Sequence, residues 1–345
     1  MILKSLSLKN FRCFEKFNIN FHDELTVIVG VNGSGKSTVL EAATIAAGTL
    51  TAAMDGMANY SIKKEDAHFK YFDMGSSIDV QAQYPVVIRA SGRIDHENIS
   101  WERTLNKPTG RCSLSGSKEL TSVAERYQER FRNGDTTLIA YYGTGRLWAQ
   151  HKEKKDDTFA KNTRTNGYID SLDGAANNKL MMKWFQKMTV QQYQRNSSIP
   201  EFSEVCKAIE KCFASVTGYR EVQVQYNLDT DDLDLLYTIK NERVRMPLSR
   251  LSDGYKCTIS LIADIAYRMA LLNPQLLGEV TKRTPGVVLI DEIDLHLHPE
   301  WQKRILSDLR EIFPNIQFIV STHAPSVINS VRSENLVLLE DFTKE

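Results

Sequence analysis

The octet Gly30-Val31-Asn32-Gly33-Ser34-Gly35-Lys36-Ser37 constrains this chain more than any other stretch of it. Its spacing is G-x-x-x-x-G-K-[ST], the pattern of a phosphate-binding loop. An apolar, β-branched run, Leu25 to Val29, precedes it, and an alanine-rich run from Ser37 to about Ala53 follows. Strand, glycine loop and helix in that order open an α/β unit. The backbone N–H groups of such a loop turn inward and form an anion nest, and the helix start adds partial positive charge. Lys36 is then placed to reach the terminal phosphates of a nucleotide, and the Ser37 hydroxyl to ligate Mg²⁺. Gly30, Asn32, Gly33, Ser34, Gly35 and Thr38 make up the rest of the expected cradle for ATP.

A site of this kind needs a buried strand that ends in carboxylates. Val287-Val288-Leu289-Ile290-Asp291-Glu292 supplies it. Asp291 is expected to hold the metal, and Glu292 to orient and polarise the attacking water. Ser321-Thr322-His323 follows another apolar run, Gln317 to Val320, so His323 can sense a γ-phosphate from a neighbouring strand end. Leu251-Ser252-Asp253-Gly254-Tyr255-Lys256 opens a helix, and Ser252 and Gly254 at a helix N-terminus form a second anion site. One nucleotide rarely needs two phosphate-binding helix starts from one chain. A head-to-tail dimer uses both.

These motifs resemble the ABC-type ATPase heads of the SMC/RecF-like group. Gly30 to Ser37 corresponds to Walker A and Val287 to Glu292 to Walker B. Leu251-Ser252-Asp253-Gly254-Tyr255 is similar to the LSGGQ signature, with Asp253 in place of a glycine and Tyr255 in place of the glutamine. His323 matches the switch histidine. The opening Leu8-Lys9-Asn10-Phe11-Arg12-Cys13-Phe14 is similar to the start of these heads, where the resemblance implies that Arg12 lies near the nucleotide. Asp291 to Pro299 resembles the D-loop. Tyr141 to Arg146, Leu251 to Gly254 and Phe313 to Ile319 are similar to the Septu- and retron-associated defence ATPases. That likeness implies ATP and Mg²⁺ as ligands, a homodimer or higher oligomer with ATP between protomers, a separate HNH-type nuclease as effector, and a place in antiphage defence. A RecF-like DNA-repair ATPase is the competing reading, and a transporter subunit fits less well. No Q-loop glutamine can be placed. Tyr142 or Gly143 stands at its position, and Gln81, Gln83 and Gln150 are candidates by residue type alone. Too few residues follow His323 for a Toprim-like acidic cluster, and the insert from Gly143 to Arg250 has no heptads.

Composition narrows the class. Lys plus Arg equals Asp plus Glu at 43 each, so no global field draws the protein to nucleic acid or to anionic membrane. Missing nuclease residues and this neutrality favour a defence regulator over a repair clamp. Any DNA contact has to come from a local patch, and Arg146, Lys152, Lys154, Lys155, Lys161 and Arg164 form the candidate, diluted by Glu153, Asp156 and Asp157. Five cysteines without a CxxC pair make neither a disulfide framework nor a zinc knuckle and suit a reducing cytoplasm. Cys206 and Cys212 read as helix core. The longest uncharged apolar-rich run, Ala42 to Met54, is shorter than the roughly 18 residues a bilayer requires, and Met1 to Leu8 lacks a signal core. His296 and His298 read as structural or as part of a dimer seam, and the acids at 229, 231, 232 and 234 as a solvated turn.

The expected fold is α/β, a P-loop NTPase of ABC-ATPase head type with an antiparallel β-subdomain and a helical lobe. The expected division is an N-terminal ATPase lobe over residues 1–142, a helical lobe with a polar insert over 143–220, and a C-terminal ATPase lobe over 221–345. Strands are predicted at Ile2 to Leu8, Asn18 to Phe21, Ile78 to Gln83, Pro85 to Ala90, Ile99 to Leu105 and Thr137 to Tyr142. A turn is predicted at Ser91-Gly92, and a polar surface segment from Gly143 to Asn178. Helices are predicted at Leu120 to Phe131, Lys179 to Gln194, Phe202 to Val216, Ser260 to Leu272 and Glu300 to Phe313, and a hairpin around Asp229 to Asp232.

Overall fold

The computed structural model describes residues 1–52, 59–75, 77–115, 120, 122–126, 129, 134–146, 164–174 and 177–339. Its central layer is a parallel sheet in the order β15-β3-β14-β13-β9, from Leu336–Leu338, Leu25–Val29, Ile316–Thr322, Gly286–Ile290 and Leu138–Tyr142. Every residue of β13 and β14 is buried. That is why these strands read as unbroken apolar runs, since a parallel sheet is covered on both faces. Strands from far-separated parts of the chain therefore interleave in one sheet.

Helix α1, Lys36–Ala52, rises directly from the phosphate loop and is buried along most of its circumference. Small residues such as Ala42, Ala43, Ala46 and Ala47 let it lie between two sheets. On its other side lies an antiparallel sheet, β2-β1-β6-β7-β8, whose last strand is Ser113–Ser115. Trp101 of β7 (Glu97–Leu105) donates its indole N–H to the Ala46 carbonyl at 2.9 Å and pins that sheet to the helix. Three expectations are corrected here. Strand β1 (Ile2–Phe11) runs past its predicted end at Leu8 and β2 (Phe14–Asn20) begins before its predicted start at Asn18, so that two residues separate them. Strand β6, Val86–Ile94, continues through Ser91-Gly92, and the reversal lies at Asp95-His96, where φ is 58° and 71°. A further hairpin, β4 (His68–Asp73) with β5 (Ile78–Gln83), adds a strand that the sequence pattern did not reveal.

Helices α2 (Asn178–Arg195), α3 (Pro200–Thr217) and α4 (Asp253–Leu272) form the helical layer. Asn177 caps α2 by accepting from the Leu180 N–H at 3.1 Å. Pro200 opens α3 where its missing N–H costs nothing. The β10–β11–β12 meander (Arg220–Asn227, Asp232–Ile239, Glu242–Pro247) stands beside them, with the expected hairpin at its first turn. The helix expected over Glu300 to Phe313 is two pieces, Pro299–Gln302 and Ile305–Ile312. The break gives them separate anchors. Trp301 packs on Tyr255 with ring centroids 4.3 Å apart, whereas Ile305, Leu306 and Leu309 are buried in the core. Of the helix expected at Leu120 to Phe131, residues 120, 122–126 and 129 are helical, and the rest lies outside the described residues.

The segment after β9 is not a solvated surface loop where it is described. Tyr168, Ser171 and Leu172 are buried. Two arginines clip this segment to α4: Arg164 donates to the Leu272 carbonyl at 2.5 Å, and Arg268 to the carbonyls of Gly167 and Ile169 at 3.0 and 2.7 Å. The charge run Lys152 to Asp157 falls outside the described residues. No helix among the described residues is long and apolar enough to cross a membrane.

Arg268 and Asp264 form an ion pair at 2.6 Å with both side chains almost wholly buried, and Tyr142 donates its hydroxyl to the same carboxylate at 2.8 Å. Removing one partner leaves a buried charge uncompensated. Arg268→Met is expected to lower stability by about 3–5 kcal/mol, read as a shifted midpoint in chemical denaturation.

Candidate active site

The parallel register brings the candidate residues to one edge of the sheet. Phe318 to Thr322 pair with Leu25 to Val29, and Val287 to Ile290 pair with Gln317 to Val320. The residues that follow β3, β13 and β14 emerge side by side at the carboxyl ends of the strands, the usual place for ligands in open α/β sheets. They are Gly30, Asp291 and His323.

The phosphate loop has the backbone its composition predicts. Gly33 and Gly35 sit at φ 87° and 90°. At Gly35 a side chain is also excluded by contact, because a Cβ there would come within 2.5 Å of the Phe14 ring. Ser34 is buried with its hydroxyl unpaired among the described residues. Lys36 turns back into the loop and donates to the Gly30 and Val31 carbonyls, both at 2.8 Å. An orphaned buried hydroxyl and a folded-in ammonium suit a loop whose remaining partner is an anion. Asn32 is exposed at the loop tip, and Ser37 and Thr38 follow Lys36 in the first turn of α1.

Ser37, Arg12 and Asp291 line one cavity of about 750 Å³ together with Glu41, Asp66 and Tyr141. Arg12 is held by two carboxylates, Glu41 at 2.5 Å and Asp66 at 2.8 Å. Burial, and after it the charge of Asp291, pushes the Tyr141 phenol well above its usual range, so it stays a neutral hydroxyl beside the acids.

The turn after β13 is held from several sides. The Ser321 hydroxyl donates to the Asp291 carboxylate at 2.5 Å and accepts from the Glu292 N–H at 2.8 Å. Glu292 itself sits at φ 46°, a left-handed conformation uncommon for a residue with a Cβ. Thr322 donates to Asp294 at 2.5 Å, and the other oxygen of that carboxylate lies 3.7 Å from Nδ1 of the half-exposed His323.

Ser252 is exposed at the N-cap of α4, and its hydroxyl makes no bond to the helix. Gly254 is buried against the D-loop segment, where a Cβ would come 2.5 Å from the His296 carbonyl. His298 caps the Pro299–Gln302 turn, accepting from the Glu300 N–H at 3.4 Å. Among the described residues, no group of three or more His, Cys, Asp or Glu is arranged to hold a metal ion.

The basic stretch is corrected. Arg146 is buried, and it donates to the backbone carbonyls of Asp291 and Glu292 at 2.7 and 2.8 Å rather than facing phosphate in solvent. Arg164 is likewise engaged internally, and the lysines at 152, 154, 155 and 161 lie outside the described residues. Gln81 and Gln83 stand on the β4–β5 hairpin, and Gln150 is outside the described residues. Glu41 and Asp66 were not singled out from the sequence, and Arg146 and Ser321 were named there without these roles. The available signal for two of them was position: Arg146 and Ser321 lie at or just beyond the carboxyl ends of β9 and β14.

Comparison with known families decides the assignment. The AAA domain family matches residues 5–215. The chain belongs to that family. It is an ATPase. A second AAA domain family, whose description names the AbiEii toxin and a type IV toxin–antitoxin system, matches residues 217–329. The "Retron Vc95 probable ATPase" of Vibrio cholerae serotype O1 biovar El Tor is 27% identical over 99% of this chain and 74% of its own length. The "Septu protein PtuA" of Bacillus thuringiensis is 24% identical over 98% of this chain and 76% of its own length. Among solved structures, the SMC head domain from Thermotoga maritima superposes with a TM-score of 0.52 at 20% identity, covering 98% of this chain and 94% of that one. The fold of this ATPase is thus that of an SMC-type head.

Lys36 supplies an ammonium to the loop, where it donates to the Gly30 and Val31 carbonyls. Lys36→Ala is expected to weaken ATP binding roughly 10- to 100-fold, the worth of a charge-assisted hydrogen bond. Titration with a fluorescent ATP analogue measures this, and unchanged affinity would overturn the loop's assignment.

Proposed function

We propose that this ATPase works as a homodimer that closes two ATP molecules between its protomers, and that it is the regulatory ATPase of a retron- or Septu-type antiphage defence system in the cytoplasm. The observation that carries the dimer is the start of α4. Ser252 is exposed and uncapped, yet the helix behind it is buried almost throughout. Such a helix end offers free N–H groups to an outside anion. The phosphate loop of its own chain already has a helix start of its own. The defence role is supported by the retron and Septu relatives, which match along almost all of this chain.

In this reading the N–H groups of Gly33, Ser34, Gly35 and Lys36 hold the phosphates, with Gly30, Asn32 and Thr38 completing the cradle. Arg12 faces the nucleotide from the β1–β2 turn. Ser37 and Asp291 hold Mg²⁺, which fits the pairing of a hydroxyl and a carboxylate on one cavity. When bound, the ion neutralises charge on the terminal phosphates. Glu292 orients water and accepts its proton, and His323, steadied by Asp294, senses the γ-phosphate. Ser252 and Gly254 of the second protomer close the site. A two-fold axis then makes two equivalent composite sites. Hydrolysis loosens the dimer, and the change of shape is the output.

Trans action can be tested by mixing. Lys36→Ala and Ser252→Arg chains, each inactive alone, are expected to regain partial ATPase activity together, because one composite site of the mixed dimer is intact. Mixed dimers with no recovered activity contradict this arrangement.

The effector is proposed to be a separate nuclease that docks on the helical layer or on the segment after β9. Glu292→Gln should bind ATP, turn over slowly and accumulate as an ATP-bound dimer, seen as doubled mass in solution. Co-expression with the genomic neighbours should yield a complex whose nuclease activity differs between wild type and Glu292→Gln. Cleavage of DNA by the purified chain alone would count against a separate effector.

A further inference from the structure

We propose that Arg146 is a positioning residue for hydrolysis. It holds the turn that aims Glu292 and ties that turn to the first turns of α4. The inference rests on the reading of Glu292 as the base, and it adds a residue that carries no part in that reading.

Three observations carry it. First, the Glu292 backbone is in a conformation that does not maintain itself. A φ of 46° at a residue with a Cβ persists only where the surroundings over-determine it. Its N–H is held by Ser321, and its carbonyl by Arg146 at 2.8 Å. Second, the guanidinium is spent on main-chain acceptors. Nη1 donates to the Asp291 carbonyl at 2.7 Å and to the Gly143 carbonyl at 3.2 Å, and Nη2 takes Glu292. Arg146 therefore leaves the carboxylates of Asp291 and Glu292 to other partners, and that of Asp291 accepts from the Ser321 hydroxyl. A fixed planar fork can hold two successive carbonyls, and an ammonium cannot reproduce that geometry. Third, Nε donates to Cys257 Sγ at 3.3 Å, one turn into α4. The helix whose N-cap is Ser252 is thereby joined to the catalytic turn through a single buried side chain. In the proposed dimer, engagement of Ser252 by the opposite nucleotide would be felt at Glu292 through Arg146.

The test uses the full chain. Arg146→Lys and Arg146→Gln are compared with wild type and with Glu292→Gln for ATP affinity, kcat and thermal midpoint. The expected result for Arg146→Lys is an ATP Kd within about threefold of wild type and a kcat lowered roughly 100-fold, the scale of a 1 Å misplacement at a reacting group. Because Arg146 acts through Glu292, the Arg146→Lys, Glu292→Gln double variant should be scarcely slower than Glu292→Gln alone. Wild-type kcat in Arg146→Lys, a parallel loss of ATP affinity and kcat, or fully additive losses in the double variant would each overturn the proposal. So would the failure of both Arg146 variants to fold, which would make Arg146 a structural residue only. The two readings separate cleanly. A fast Glu292→Gln chain removes Glu292 as the base, whereas a slow Glu292→Gln chain beside a fast Arg146→Lys chain removes the role of Arg146 alone.

Discussion

The parallel hydrogen-bond register of β3, β14 and β13 places the chemistry of this protein. Because Thr322 pairs with Val29 and Ile290 with Val320, the residues leaving these strands emerge at one edge. A slip of one residue in either ladder would turn alternate side chains to the other face of the sheet. It would also part Ser321 from Asp291 and Glu292, the two groups it joins. The register is strongly specified because both faces of β13 and β14 are buried. The hydrophobic burial that holds the sheet together is thus also what aligns the phosphate loop with the acidic turn.

Around that edge, buried polar groups do the finer positioning. Ser321, Arg146 and Asp294 each bond to the ends of strands or to the candidate catalytic residues themselves. A second set centres on α4, where Asp264 receives both Arg268 and Tyr142. Tyr142 is the last residue of β9, and Arg146 follows it after a turn. The helix that begins at Ser252 is therefore tied to the sheet at two levels, by Cys257–Arg146 near its start and by Asp264–Tyr142 two turns later. Arg268 and Tyr142 share one oxygen of Asp264, and the other is buried without a hydrogen-bond partner among the described residues.

Much of this was legible in the residue order. The phosphate loop, the acid-ended strand and the helix start at Ser252 are local patterns whose chemistry depends on neighbours in sequence. A glycine loop between a buried strand and a helix has few other uses. Most strands and the helices α2, α3 and α4 follow from apolar period, with Pro200 marking the start of α3. The errors have a common cause. Gly92 looks like a turn residue but lies mid-strand, because the Trp101 ring and the Ile2 carbonyl of β1 come close to it. Arg146 and Arg164 look like a solvated basic stretch, but each donates to a backbone carbonyl more than a hundred residues away.

The sequence by itself determined that this chain is an α/β nucleotide-binding protein, and which short segments carry the glycine loop, the acids and the hydroxyls of the candidate site. Those are properties of contiguous residues, set by backbone geometry and by burial period. Only the tertiary structure decided that β9 from the middle third pairs with β13 from the last, that Arg12 is held between Glu41 and Asp66, and that Arg146 grips the backbone of Asp291 and Glu292. A long-range hydrogen bond leaves no period in the chain. Its donor reads as any surface arginine until packing removes the water and leaves it a carbonyl as partner.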